Sequence, residues 1–248
     1  MQQSDKKELQ SEVGEMMKKM FFSQPVINRY MEKAGLKELE NMKVLLEDEK
    51  NVRTVSRRAR FLKSASFPTM KSFDDYDFRG IKFPKNFTKD EMLSLDFITK
   101  KHTIVFYGGC GSGKTHATIA LGVNACNADY KVKFFTLTSL VMYLKTAKNN
   151  GTLDRAYKTL MAQNLICIDE WGYLPLDLES GQLLFSVISN AYERLSLIIT
   201  TNLTFNEWGP LFTDDQLAAA IIDRIVHYGH LINTGNKDWR LEHALMKD

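Results

Sequence analysis

The chain has 248 residues, 44% hydrophobic and 25% charged, ordinary totals that exclude a low-complexity or disordered polymer. A formal charge of +3 is too small to specify a partner, and the three cysteines (Cys110, Cys126, Cys167) form no C-x-x-C pair, which suits a reducing compartment. The opening MQQSDKKELQ is too polar for a signal peptide and no apolar run approaches the roughly 18 residues of a membrane span, so a soluble, cytoplasmic chain with no membrane partner is expected.

Residues 1–66 read as an all-helical domain. Leu9, Val13, Met16, Met17, Met20 and Phe21 recur at helical spacing. Ser23 caps a second helix with Pro25 in its first turn, and Gly35 ends it. Leu39, Met42, Leu45 and Leu46 mark a third helix; Val52, Val55, Ala59 and Leu62 mark a fourth. The other face of the fourth carries Arg53, Arg57, Arg58, Arg60 and Lys63 with no acid among them. That run is either a solvated face or a contact for nucleic-acid phosphates. A linker, SFPTMKSFDDYDF, follows, so the domains divide as 1–66 and 67–248. Its Phe73, Tyr76 and Phe78 lie against an adenine or pin the linker to the sheet.

From about residue 100, strand and helix alternate. Apolar β-rich runs at Thr103–Tyr107, Val132–Thr136, Leu165–Ile168, Leu197–Thr201 and Leu231–Asn233 are separated by helix-like stretches. This is the pattern of an α/β fold, a parallel sheet with helical crossovers. After the first strand comes GGCGSGKT, a match to G-x-x-x-x-G-K-[ST] followed by a helix from about Lys114 to Ala128. In that context Gly108, Gly109, Cys110, Gly111, Ser112 and Gly113 turn backbone N–H groups toward phosphate oxygens, with His116 closing the motif. Lys114 reaches the β- and γ-phosphates of a nucleoside triphosphate, ATP or GTP, and Thr115 places its hydroxyl on magnesium.

The third strand ends LICIDE. Asp169 is positioned to hold Mg2+, largely through water, and Glu170 to act as general base toward the attacking water. Two adjacent carboxylates on a buried strand are costly unless a cation meets them. Asn202 ends the fourth strand and is a candidate to orient the same water or the γ-phosphate, with Thr200 and Thr201 as nearby alternatives. In the helix DDQLAAAIIDRIVHY, Arg224 lies off the apolar stripe; it is a surface ion-pair partner or an arginine finger for a neighbouring subunit. Arg240, in KDWRL, is a second arginine and a candidate to reach the γ-phosphate from its own subunit. Between strands two and three, Lys145, Lys148, Arg155 and Lys158 stand against one acid, Asp154, and are candidates for phosphate-backbone contacts. His227 and His230 lack a third ligand and read as surface or core residues. A nucleotide kinase would need a phosphate-acceptor site and an arginine-rich lid, and neither is visible.

The runs GGCGSGKTH, LICIDEWGYLPL, AYERLSLIITTNLTFNEW and AAAIIDRIVHYGHLIN together resemble the IstB family of insertion-sequence transposition ATPases, grouped with DnaC-type helicase loaders in the AAA+ superfamily. The resemblance covers most of residues 60–248. It implies a P-loop AAA+ core with sheet order 5-1-4-3-2 beside a small helical N-terminal domain, and ATP and Mg2+ as ligands. It further implies self-assembly into a ring or helical filament, duplex DNA as the bound polymer, and a transposase partner of the IstA-like kind. Lys114, Thr115, Asp169 and Glu170 match the hydrolytic positions, Asn202 the sensor and Arg224 the arginine finger. The alternative function is replicative helicase loading, although residues 1–66 lack the Cys/His cluster of a zinc-containing loader. The sequence departs from the family pattern at Cys110 and Ser112, where proline and threonine are frequent, and at Asn190, where arginine is common.

Overall fold

A computed structural model describes residues 2–74, 76–173 and 175–239, without the side chains of 2–4. The chain divides into two compact units, Met1–Ala59 and Arg60–Asp248. In the first unit, helices α1 (Gln2–Lys19), α2 (Gln24–Lys33) and the start of α3 (Leu36–Ala65) enclose a small core of Val13, Met17, Ile27, Ala34, Leu39 and Leu46. Ser23 is the N-cap of α2, although its side chain makes no capping bond.

The expected third and fourth helices are one. The stretch Glu47–Asn51 that joins them contains no glycine or proline, so nothing interrupts the i to i−4 ladder. The apolar stripe expected beyond it is also corrected, since Val52 and Val55 are 61% and 67% exposed, and before it Leu45 is exposed as well.

The second unit is an α/β fold. Two short helices, α4 (Lys89–Leu93) and α5 (Asp96–Thr99), lead into strand β1 (Thr103–Tyr107). Then follow α6 (Lys114–Asn127), β2 (Val132–Thr136), α7 (Leu137–Asn149), α8 (Leu153–Met161), β3 (Leu165–Trp171), α9 (Leu178–Ala191), β4 (Ser196–Thr201), α10 (Asp215–His227) and β5 (Gly229–Asn233). The five strands are parallel in the order β2-β3-β4-β1-β5, the expected 5-1-4-3-2 read from the other edge. β4 is buried at all six residues, as a central parallel strand covered on both faces must be. One layer of core joins the sheet to α7, α9 and α10 through Leu140, Leu144, Leu184, Val187, Ile221 and Ile225. The opposite face packs on α6 through Ile119, Leu121 and Cys126. Among the described residues no helix is long and apolar enough to cross a membrane.

Candidate ATPase site

β1 stops at Tyr107 and the chain turns through 108–113 into α6. Gly113 is the N-cap of α6 with φ +88°, a left-handed conformation that suits glycine. Space is tight there as well, since an added Cβ would lie 3.0 Å from the ring of Tyr76. Lys114 is buried and donates from Nζ to the carbonyls of Gly108 (2.8 Å) and Gly109 (2.7 Å), so its ammonium sits inside the curve of the loop. Thr115 Oγ1 donates to Asp169 Oδ1 at 3.0 Å, which joins the loop to the tip of β3.

Asp169 is buried and Glu170 is exposed. An irregularity in the β3–β4 ladder between Ile168 and Trp171 separates them, and Glu170 adopts φ +60° at that point. The register slip brings Thr200 onto both acids. Its Oγ1 donates to Asp169 Oδ1 in a very short hydrogen bond and accepts the Glu170 backbone N–H at 3.0 Å. The sequence reading held Thr200 only as an alternative to Asn202. Asn202 lies beside the phosphate loop, with Nδ2 3.7 Å from Cys110 Sγ, and that sulfur is 3.8 Å from the Tyr173 hydroxyl. Trp171 is fully buried against Trp208, with ring centroids 4.9 Å apart, and so serves packing.

A cavity of about 1040 Å³ opens from Gly111–His116 past Asp169 and Glu170, toward Phe135 and Tyr143 and out to Trp239, large enough for a nucleotide. The linker lies at its rim. Tyr76 donates its hydroxyl to Gly113 O (3.3 Å), and its burial pushes the phenol well above its ordinary pKa. His116 meets the Ser72 carbonyl at 2.7 Å and packs on Tyr76. Phe73, Tyr76 and Phe78 form one aromatic cluster. All three pack on the core between α6 and the sheet, and Tyr76 alone among them reaches the loop. The only signal for this in the sequence was the spacing of three aromatics.

The donor chemistry fits magnesium. Thr115 Oγ1 and Asp169 Oδ1 are adjacent hard oxygens, and among the described residues no group of three His, Cys, Asp or Glu side chains forms a protein cage. Mg2+ favours such a sparse set, completed by water and phosphate oxygens.

Arg224 is elsewhere. It sits in the last turn of α10, whose chain enters β5 at Gly229 beside Thr103, the first residue of β1. The phosphate loop follows the last residue of β1, about 13 Å along the strand at ~3.3 Å per residue. Arg224 Nη1 donates to Ala220 O (2.8 Å), and the guanidinium lies 5.0 Å from the Phe185 ring centre. Neither Asp214 nor Asp223 pairs with it, since Asp214 caps α10 through the Gln216 and Leu217 N–H groups.

The basic candidates are scattered and partly neutralised. Lys145 pairs with Asp177 (2.7 Å) and Lys148 with Glu179 (2.5 Å), acids from the start of α9, so Asp154 is not the one acid facing them. Lys145 holds the Asp177 carboxyl well below the usual carboxylate range. Arg155 and Lys158 are exposed on α8. Arg57 and Arg58 are half-buried on α3 in the first unit, each already engaged by another group. Arg240 lies outside the described residues. His230 is a core residue, hydrogen-bonded to His102 (2.9 Å) and stacked on Phe87, while His227 meets the Tyr192 hydroxyl.

Comparison with known proteins agrees with this geometry. The insertion sequence IS5376 ATP-binding protein of Geobacillus stearothermophilus is 34% identical over 81% of this chain and 78% of its own length. The IS21 ATP-binding protein of Pseudomonas aeruginosa is 33% identical over 87% and 83%. In fold the chain resembles a DnaC helicase loader (TM-score 0.52, 21% identity, 72% of this chain and 99% of that one) and DnaI (0.53, 17%, 72% and 92%). The model of the IstB-like ATP binding proteins matches residues 18–246, and with a phosphate loop, paired acids and a parallel sheet in the expected strand order the chain belongs to that family of ATPases.

Proposed function

We propose that this ATPase assembles with copies of itself on duplex DNA and, in that form, assists a transposase in selecting or remodelling its target. The observation that carries the assembly is the position of Arg224, at the amino ends of the strands while its own phosphate loop is at their carboxyl ends. An arginine so distant cannot neutralise charge on its own nucleotide. Held out by Phe185 and Ala220 O, it suits the open site of an adjoining subunit. The transposase is inferred from the insertion-sequence names of the relatives.

Within one subunit, loop N–H groups and Lys114 bind the phosphates. Thr115 and Asp169 would hold Mg2+, which would supply positive charge against the nucleotide phosphates. Thr200 orients Asp169 and, through the Glu170 amide, the backbone from which the Glu170 carboxylate takes a proton from water. Asn202, beside Cys110, is suited to orient the γ-phosphate. Residues 1–66 act as the partner- and DNA-contact domain. On the ATPase unit, exposed Arg155 and Lys158 are stronger candidates for backbone phosphates than Lys145 and Lys148, whose charge α9 already answers.

The test is sedimentation or electron microscopy of the protein on duplex DNA with ATP, with ADP, and as Glu170→Gln with ATP. ATP-dependent oligomers on DNA, persistent in the variant, are expected. A nucleotide-insensitive monomer indifferent to duplex would overturn the proposal and turn attention to a replicative helicase as partner.

A further inference from the structure

The segment after β5 is bound to the phosphate loop along its length. Thr234 N–H donates to Tyr107 O (2.8 Å), Gly109 N–H to Gly235 O (2.9 Å) and Trp239 N–H to Gly111 O (3.2 Å). The two strands of chain interlock so closely that a Cβ on Gly108 would lie 2.4 Å from Thr234 Oγ1 and 2.6 Å from Gly235 O. The far side is anchored too, because Asn233 bridges Lys82 in both directions and its Oδ1 accepts the Gly235 N–H (2.8 Å).

Two hydroxyls tie the centre. Ser112 and Thr234 are both only 5% exposed, with Oγ and Oγ1 2.7 Å apart, and Thr234 Oγ1 is 3.1 Å from Tyr107 O. A carbonyl can only accept, so Thr234 gives its one proton to Tyr107 O. Ser112 must then donate to Thr234. The resulting chain, Ser112 to Thr234 to Tyr107, runs from the middle of the loop back to the strand that launches it. The Ser112 proton points into the protein, which leaves loop backbone N–H groups as the phosphate donors.

We propose that Thr234 is a positioning residue for nucleotide binding. Its hydroxyl, fixed by Tyr107 O and clamping Ser112, sets the curvature of the 108–115 loop, whose phosphate donors lie beyond Gly108 and Gly109, the N–H groups of which are already spent on Thr201 O and Gly235 O. This rests on the reading of that loop as the phosphate cradle. Thr234 does not touch the reacting atoms, so its loss acts on affinity before turnover.

The test compares Thr234→Val, Thr234→Ser, Ser112→Ala and the Val/Ala double variant by titration with a fluorescent ADP analogue, with ATPase KM and kcat and the melting temperature of each nucleotide-free protein. Loss of a buried hydroxyl bond predicts about tenfold weaker binding in Thr234→Val and in Ser112→Ala. The double variant should lose about the same tenfold, since both changes break one chain. Thr234→Ser should bind like wild type, and kcat should change much less than KM. Wild-type affinity in Thr234→Val, or losses that multiply in the double variant, would overturn the proposal. If Thr234→Val does not fold, wild-type affinity in Ser112→Ala does the same. Lys114→Ala separates the two readings: if it too binds the analogue normally, the cradle assignment itself has failed.

Discussion

Replacing Thr200 by valine removes one hydroxyl and keeps the shape of the side chain. Thr200 is 2% exposed, and that hydroxyl serves both the Asp169 carboxylate and the Glu170 amide. The variant leaves a buried charge short of a donor and a backbone N–H short of an acceptor. A hydrogen bond to a charged group contributes about 1.5–3 kcal/mol and an orphaned buried donor costs about 1–3 kcal/mol, so a loss of about 3 kcal/mol is expected after partial relief by water. For a cooperative unit the size of Arg60–Asp248 that lowers the melting temperature by about 9 °C, at roughly 3 °C per kcal/mol. The assay is thermal unfolding by circular dichroism without nucleotide or magnesium, because either ligand would add binding energy to the folded state. Steady-state hydrolysis should fall at least about tenfold as Glu170 loses its register, corresponding to ~1.4 kcal/mol. Thr200→Ser should restore both. A Thr200→Val protein that melts within about 2 °C of wild type, less than 1 kcal/mol by the same scaling, and hydrolyses ATP normally would refute the reasoning.

Glu170→Gln should bind ATP while hydrolysing it about 10²–10⁴-fold more slowly, the range for loss of a general base, as single-turnover and binding measurements would show. Arg155→Ala and Lys158→Ala should each reduce the slope of log affinity against log salt on duplex DNA by about 1, with a smaller change for Lys145→Ala; equal slopes throughout would remove α8 as a DNA surface. The His102–His230 pair predicts a pH effect. Burial lowers both pKa values below the ordinary 6.5, with Lys100 adding to the shift and Glu91 opposing it at His230. The unfolded chain therefore binds more protons, so stability is full above 6.5 and declines as pH falls through 6.5 toward the folded values. Melting temperatures from pH 8 to 5 should show that decline, and His230→Phe should flatten it.

The strands were legible because a parallel sheet buried on both faces writes itself as continuous apolar runs, here TIVFY and SLIITT. The phosphate loop was legible because its chemistry fixes residue types at fixed spacing. The unbroken α3 was not, since its polar middle hides the periodicity although nothing there stops a helix. The partners of Lys145 and Lys148 were also hidden, because Asp177 and Glu179 arrive from about thirty residues away through the crossover that stacks α9 on α7. The bonds from Thr200 to Asp169 and the Glu170 amide were hidden because a ladder irregularity, invisible to period-two counting, sets that register.

That irregularity also bears on how durable the enzyme can be. Glu170 holds φ +60°, where a side chain costs about 1–2 kcal/mol that glycine would not. Glu170→Gly should thus produce a dead enzyme that resists heat at least as well as the living one. Stability and turnover therefore make opposite demands on this one position.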